Sequence, residues 1–239
     1  MLTQPTAAES APPDGGPRKP IRVLLVDDHP AVSVGARKVI NDQPDMRVVA
    51  EARSAEEALQ QHEVAVDVAV VDYHLREGHD GLWLTAQLKC SEPSPRVLVY
   101  SAFADVALAI LAPVAGADGL LGKHELGEEL CRAIRRLARG QQHLPATSSS
   151  IAHMLRSRLE PRDQAIFGML LHGVERDVII ERLGITSEEL HARRSLILGA
   201  VKPGRPTSAV PPTAQTPLDY ERPRPRSKPP GSALARSRA

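Results

Sequence analysis

The chain has 239 residues, 42% of them hydrophobic and 3% aromatic, with a formal net charge of +1. That length gives room for one large domain or two small ones, and the apolar fraction excludes a wholly disordered chain. No apolar run reaches the length of a membrane span, and the opening stretch MLTQPTAAESAPPDGGPRKP lacks the apolar core of a secretory signal, so the expected location is cytoplasmic with no membrane partner. Cys90 and Cys131 have no metal-binding spacing and build no disulfide framework. Both read as reduced packing residues.

Charge divides the chain unevenly. Residues 159–201 hold five basic and seven acidic side chains, whereas 202–239 hold eight basic and two acidic. The expected organisation is a disordered N-terminus over 1–20, an α/β domain over 21–139, a linker over 140–158, a small all-α domain over 159–201 and a disordered, basic, Pro-rich tail over 202–239.

In chain order, the first domain alternates apolar runs with helical patterns. Strands are predicted at Ile21 to Val26, Arg47 to Ala50, Val66 to Val71, Arg96 to Tyr100 and Gly119 to Leu121. Helices are predicted at Ala31 to Ile40, Ala55 to His62, Leu82 to Lys89, Asp105 to Leu111 and Leu126 to Ala138. Ser54 and Glu57 have capping-box spacing, and Leu126, Leu130, Ala133, Ile134 and Leu137 make one apolar stripe. Five such β/α units imply a doubly wound, five-stranded parallel sheet, whose chemistry belongs at the carboxyl ends of the strands.

Those ends carry Asp27 and Asp28 after the first strand, Asp72 after the third, Ser101 after the fourth and Lys123 after the fifth. Three carboxylates brought together repel one another, and a few hard oxygen donors suit Mg²⁺, which keeps several waters and recruits a phosphate oxygen. The cluster therefore reads as a metal-assisted phosphoryl site with a carboxylate nucleophile and with Lys123 and Ser101 on the phosphoryl oxygens. His29 and His74 read as solvated loop residues, and Arg132, Arg135, Arg136 and Arg139 as the solvated face of a helix.

The motifs VLLVDDHP, VVDYHL, VLVYSA and GADGLLGKHEL, in this order and spacing, make residues 21–139 resemble the receiver domain of a bacterial two-component response regulator, a flavodoxin-like fold. The resemblance implies that Asp72 accepts a phosphoryl group from the phosphohistidine of a sensor histidine kinase. It also implies that Asp28 and Asp72, the backbone carbonyl of His74 and, through water, Asp27 hold Mg²⁺, and that Ser101 and Lys123 carry the switch. The chain departs from that pattern in YHLREGHDGL, which lacks the usual Pro and is one residue longer, and in Leu120 and Gly122, which stand where an aromatic and a Leu are customary.

In the second domain, Gly173 and Gly184 sit where helix C′ residues belong, and Thr186 with Glu189 has capping-box spacing. Leu170, Val178, Ile179, Leu183, Ile185, Leu190 and Ile197 are the expected core. Leu159, Arg162, Asp163, Gly173, Val178, Ile179 and the turn Leu183-Gly184-Ile185-Thr186 resemble a divergent helix-turn-helix of LuxR or sigma-region-4 type, the output domain of NarL/FixJ regulators. By that resemblance the third helix enters the major groove of promoter DNA, in a monomer or a dimer, with His191, Arg193 and Arg194 as candidate contacts. An acidic module is a poor neutraliser of phosphates, so the alternative is a phosphorylation-switched regulator, likewise not an enzyme, whose helical module binds a protein partner. The resemblance also implies that the resting receiver covers the third helix.

Overall fold

The structure, a computed structural model, describes residues 19–202 except 62, 77 and 126. The readings made for 1–18, for His62 and Leu126 at helix ends, and for the tail from 203 onward lie outside those residues.

Five parallel strands, β1 (Ile21–Val26), β2 (Met46–Ala52), β3 (Val68–Asp72), β4 (Arg96–Ser101) and β5 (Gly119–Gly122), form one sheet in the order β2-β1-β3-β4-β5. Chain order reverses at β1 and β3, so the crevice at their carboxyl ends is where side chains from separate strands converge. β3 is buried along its whole length, which is why VAVVD reads as an apolar run instead of an alternating one. It begins later than its composition implied, because Asp67 is held beside the sheet by Arg22, whose backbone N–H donates to Asp67 Oδ2 at 2.8 Å.

The helices are α1 (Pro30–Asn41), α2 (Ala55–Leu59), α3 (Gly81–Leu88), α4 (Val106–Ala115) and α5 (Glu128–Ala138). α1 and α5 cover one face, where Ile40, Leu130, Ile134 and Leu137 pack on Val23, Leu25 and Leu98. α2 and α3 cover the other, around Val26, Val71 and Val97. Ser54 Oγ accepts from Glu57 N, but Glu57 turns its carboxylate to Arg53 N, so only half of the anticipated capping box forms. α2 stops at Leu59 because the next turn tightens, with Gln61 N donating to the Ala58 carbonyl.

α4 runs four residues past its anticipated end, through Pro113, until Gly116 at φ 96 stops it. Every residue from Leu108 to Ala115 is buried. A helix apolar all round must be covered all round, and the second half of the chain supplies that cover.

Residues 149–201 form α6 (Ser149–Arg156), α7 (Pro161–Leu171), α8 (Arg176–Leu183) and α9 (Ser187–Val201). α6 lies inside the stretch read as linker, where its serines gave no helical signal. α4 packs against α7 and α9, and α3 also meets α9. Leu108, Leu111 and Ala115 therefore share one apolar cluster with Phe167, Leu190 and Ile197. Leu170, Ile179, Leu190 and Ile197 are buried as expected, whereas Val178 and Leu183 are substantially exposed. Val178 and Leu183 stay outside the expected core because the module turns its apolar side to α4. Gly173 and Gly184 adopt φ 66 and φ 62, and Thr186 and Glu189 form the complete capping box.

Candidate phosphoryl site and the covered third helix

The carboxyl ends of β1 and β3 place Asp27, Asp28 and Asp72 together. Asp27 and Asp72 are each 2% exposed, and the Asp28 side chain is 8% exposed. Backbone donors hold them in place: His29 N donates to Asp27 Oδ1 at 2.8 Å, and His74 N donates to Asp72 Oδ1 at 3.1 Å. Lys123, delivered by β5, lies 2.7 Å from both Asp27 Oδ2 and Asp72 Oδ2. It makes a hydrogen bond only to Asp72, its approach to Asp27 being an ion pair without hydrogen-bond geometry. Tyr100 donates from its hydroxyl to the Lys123 carbonyl at 3.3 Å and so steadies that loop. Burial pushes its phenol up to about 12, which keeps it a donor.

Electrostatics at Asp72 are dominated by burial, which pushes its carboxyl above the ordinary range. The hydrogen bond and charge of Lys123 pull it back, and neighbouring Asp27 pushes it up again. Asp27 Oδ2 and Asp28 Oδ1 are buried oxygens with no hydrogen-bond donor. Three carboxylates that each offer an oxygen within 4.8 Å of the others, two of them with an oxygen that takes no hydrogen bond, fit a hard divalent cation.

His29 is a loop residue with a side chain 42% exposed, as read, but one edge of its ring meets the acids. Its Nδ1 lies 2.6 Å from Asp28 Oδ1 and within reach of Asp27 and Asp72, because Pro30 starts α1 immediately afterwards and turns the ring over the acids. His74 is exposed, as expected. Ser101 is fully buried but turns toward its own loop: its Oγ donates to the Phe103 carbonyl at 3.3 Å and accepts from Phe103 N at 3.1 Å. The structure therefore brings the three carboxylates and Lys123 together, and leaves Ser101 beside them and engaged elsewhere.

Three residues of the site went unread in the sequence. Arg76 reaches Asp28 Oδ2 with its Nε at 3.1 Å and its backbone N at 3.2 Å. Gly81 packs so closely on the backbone of Asp72 that a Cβ there would overlap the Asp72 carbonyl oxygen. Asp80 caps α3 by accepting from Trp83 N at 2.9 Å. The Asp80-Gly81 pair is itself a cap and turn signal, and it marks where the loop after β3 returns to the sheet.

The candidate DNA contacts lie elsewhere on the molecule. His191 faces the receiver, with Nδ1 2.9 Å from Cys90 Sγ and Nε2 3.3 Å from Gln87 Nε2. Arg194 is 4% exposed. Arg193 donates to Asp163 Oδ1 at 3.0 Å across the module itself. Around this seam Arg176 pairs with Glu92 at 3.0 Å, Arg96 with Glu175 at 3.4 Å, and Lys202 with Asp80 at 2.5 Å. Cys131 is a packing residue, buried near the Val39 carbonyl, and Arg132 and Arg135 bind surface acids.

Comparison with known proteins agrees with this architecture. Residues 23–135 match the response regulator receiver domain family. The nitrate/nitrite response regulator protein NarL of Escherichia coli strain K12 is 29% identical over 193 residues, covering 75% of this chain and 89% of that protein. A two-component response regulator of the LuxR family from Aurantimonas sp. SI85-9A1 is 33% identical with a TM-score of 0.50, over 59% of this chain and all of that structure. A structure of RcsB dimers bound to DNA is similar in fold, with a TM-score of 0.51 at 19% identity, over 77% of this chain and 92% of that one.

A parallel sheet with an acidic crevice and an opposed lysine is the receiver of a two-component response regulator, and the chain belongs to that family. Within the family it is of the NarL/LuxR type. No helix among the described residues is long and apolar enough to cross a membrane.

Proposed function

We propose that Asp72 is the phosphoacceptor of a sensor histidine kinase, and that its phosphorylation releases α9 from the receiver to read promoter DNA. The observation that carries this reading is the position of His191 and Arg194, packed on the receiver and closed to DNA in the described arrangement. A carboxylate oxygen of Asp72 attacks the phosphorus of the phosphohistidine. The new O–P bond replaces the P–N bond, and the imidazole, protonated on its other ring nitrogen before the attack, leaves neutral.

Asp28, Asp72 and the His74 carbonyl, with Asp27 through water, are the proposed holders of Mg²⁺, whose charge would offset that of the incoming phosphoryl oxygens. Lys123 lets go of Asp72 and follows the phosphoryl group, and Ser101 exchanges its bond to Phe103 for a phosphoryl oxygen. The chain takes one phosphoryl group per switching event and turns over no substrate, in the cytoplasm where kinase and promoter are both reached.

A specific observation favours the alternative, a protein partner for the helical module: Glu188 and Glu189 open α9, and Val178 and Leu183 of α8 and Leu196 of α9 are exposed. A salt series of DNA binding by fluorescence anisotropy separates the two. Residues 1–239 and 1–201 are compared with and without beryllofluoride as phosphoryl mimic. Specific binding that the mimic enhances and that survives tail removal supports the DNA reading. Loss of binding with the tail, or no sequence preference, supports the protein partner.

A further inference from the structure

The seam between receiver and helical module holds an open cavity of about 270 Å³. Lys89 and Asp118 come to it from the receiver, and Arg176 and Arg194 from α8 and α9. Its carboxylates already have cations. Asp118 takes Lys89 at 3.1 Å and Arg96 at 2.7 Å, Glu92 takes Arg176, and Glu175 takes Arg96. Asp177 lies at the mouth with its side chain 93% exposed.

Arg194 stands apart from these pairs. It is 4% exposed, and its Nε is buried without a hydrogen-bond acceptor among the described residues. Its Nη1 lies against Gly116, at the carboxyl end of α4, without a hydrogen bond to the carbonyls there. The other influences on its charge are the nearby Cys90 thiol and the repelling guanidinium of Arg176. Arg176 Nε is likewise buried without a hydrogen-bond acceptor, its nearest carboxylate oxygen, from Asp177, being 3.9 Å away. A guanidinium as desolvated as that of Arg194 is costly unless something negative meets it, and Arg176, whose Nη atoms already meet Glu92 and the Lys89 carbonyl, adds a second guanidinium with an unengaged Nε to the same wall, the planar donor geometry that suits an oxyanion.

We infer that this cavity is an anion site, in which the Arg194 and Arg176 guanidinium groups hold a small tetrahedral oxyanion, inorganic phosphate or the phosphate group of a small molecule. The anion sits between these arginines of the module and Lys89, the receiver's cation on the same cavity, and so stabilises the closed seam. The site is separate from the phosphoryl pocket and does not depend on Asp72 being a phosphoacceptor.

The test is thermal unfolding of the full chain in EDTA, titrated with phosphate or sulfate against chloride of equal ionic strength. Phosphate is expected to raise the midpoint by about 5–10 °C at a hundredfold excess over its dissociation constant. In Arg194→Met the increment disappears, and the anion-free midpoint equals or exceeds that of the wild type because an unpaired buried charge is gone. Should that variant not fold, Arg176→Gln, on a partly exposed side chain, is expected to show the same loss of increment. An increment with inorganic phosphate assigns the site to the free anion, and one seen only with a nucleoside monophosphate assigns it to a phosphate-bearing molecule. No increment with any of these anions overturns the inference. So does a full increment in Arg194→Met or Arg176→Gln, or an increment lost in Lys123→Met but kept in Arg194→Met, which places the anion in the phosphoryl pocket.

Discussion

Lys202 Nζ lies 2.5 Å from Asp80 Oδ2, tying the end of α9 to the residue that caps α3 in the loop after Asp72. The clasp spans 122 positions of sequence and links the far end of the helical module to the backbone that follows the phosphoacceptor candidate. Asp80→Ala removes both the cap and the clasp, and is expected to cost about 1 kcal/mol through the cap alone. Lys202→Met removes only the clasp and is expected to cost under about 1 kcal/mol, as a partly exposed ion pair. Both variants are expected to speed amide exchange in 187–201, measured by mass spectrometry. Exchange unchanged in Lys202→Met would show that the clasp holds nothing.

Lys123 neutralises two buried carboxylates at once. Lys123→Met leaves both unpaired and is expected to destabilise the chain by about 3 kcal/mol in chemical denaturation. Millimolar Mg²⁺ is expected to restore more stability to this variant than it adds to the wild type, since a cation then meets the uncovered oxygens. An identical Mg²⁺ response in the two proteins would speak against the acidic crevice as the metal site.

The shared apolar cluster predicts a single unfolding unit. Phe167→Ala in α7 is expected to cost about 3–5 kcal/mol. The loss is expected to appear in the fluorescence transition of Trp83, which belongs to the receiver and stacks on His79 with ring centroids 3.6 Å apart. A Trp83 transition that stays in place while the helical signal shifts would mean that the module unfolds independently.

Protonation of His191 is expected to loosen the seam. Its imidazole is held below the ordinary value, chiefly by burial and then by the charge of Arg194, while Gln87 of α3 and Cys90 just beyond that helix face it. A lowered folded-state value means that stability is present above about pH 6.5, the unfolded value, and is lost as pH falls through the folded one. His143 is shifted in the same direction by burial and by Arg136, so the comparison with a variant is needed. Between pH 7.5 and 5.5 the wild-type melting midpoint is expected to fall relative to that of His191→Gln, about those pH values being where histidine changes charge. Parallel curves would contradict this.

The receiver was legible because its signals are local: β-branched runs give buried parallel strands, and polar residues at strand ends give the crevice. The orientation of Ser101 was not, since a hydroxyl at a strand end serves its own loop as readily as a distant carboxylate. That half-exposed His29 aims its Nδ1 at the acids was not legible either, because its ring direction depends on where α1 begins. The cover on α4 had a signal that went unread: VALAILAPVA is apolar on every side, which a two-faced receiver helix has no use for. By contrast, the burial of Arg194 could not be read locally, because it depends on how α9 seats on α4, a packing that joins residues about 80 positions apart.

The proposed switch requires that α9 be held by the receiver until the acidic crevice is modified. Hydrogen exchange of the segment 187–201 in the full chain, with and without Mg²⁺ and beryllofluoride, tests this most directly. Exchange is expected to rise on adding the mimic, and to stay at the resting level in Asp72→Asn. Unchanged protection of 187–201 in a receiver shown to be fully loaded with the mimic would contradict it.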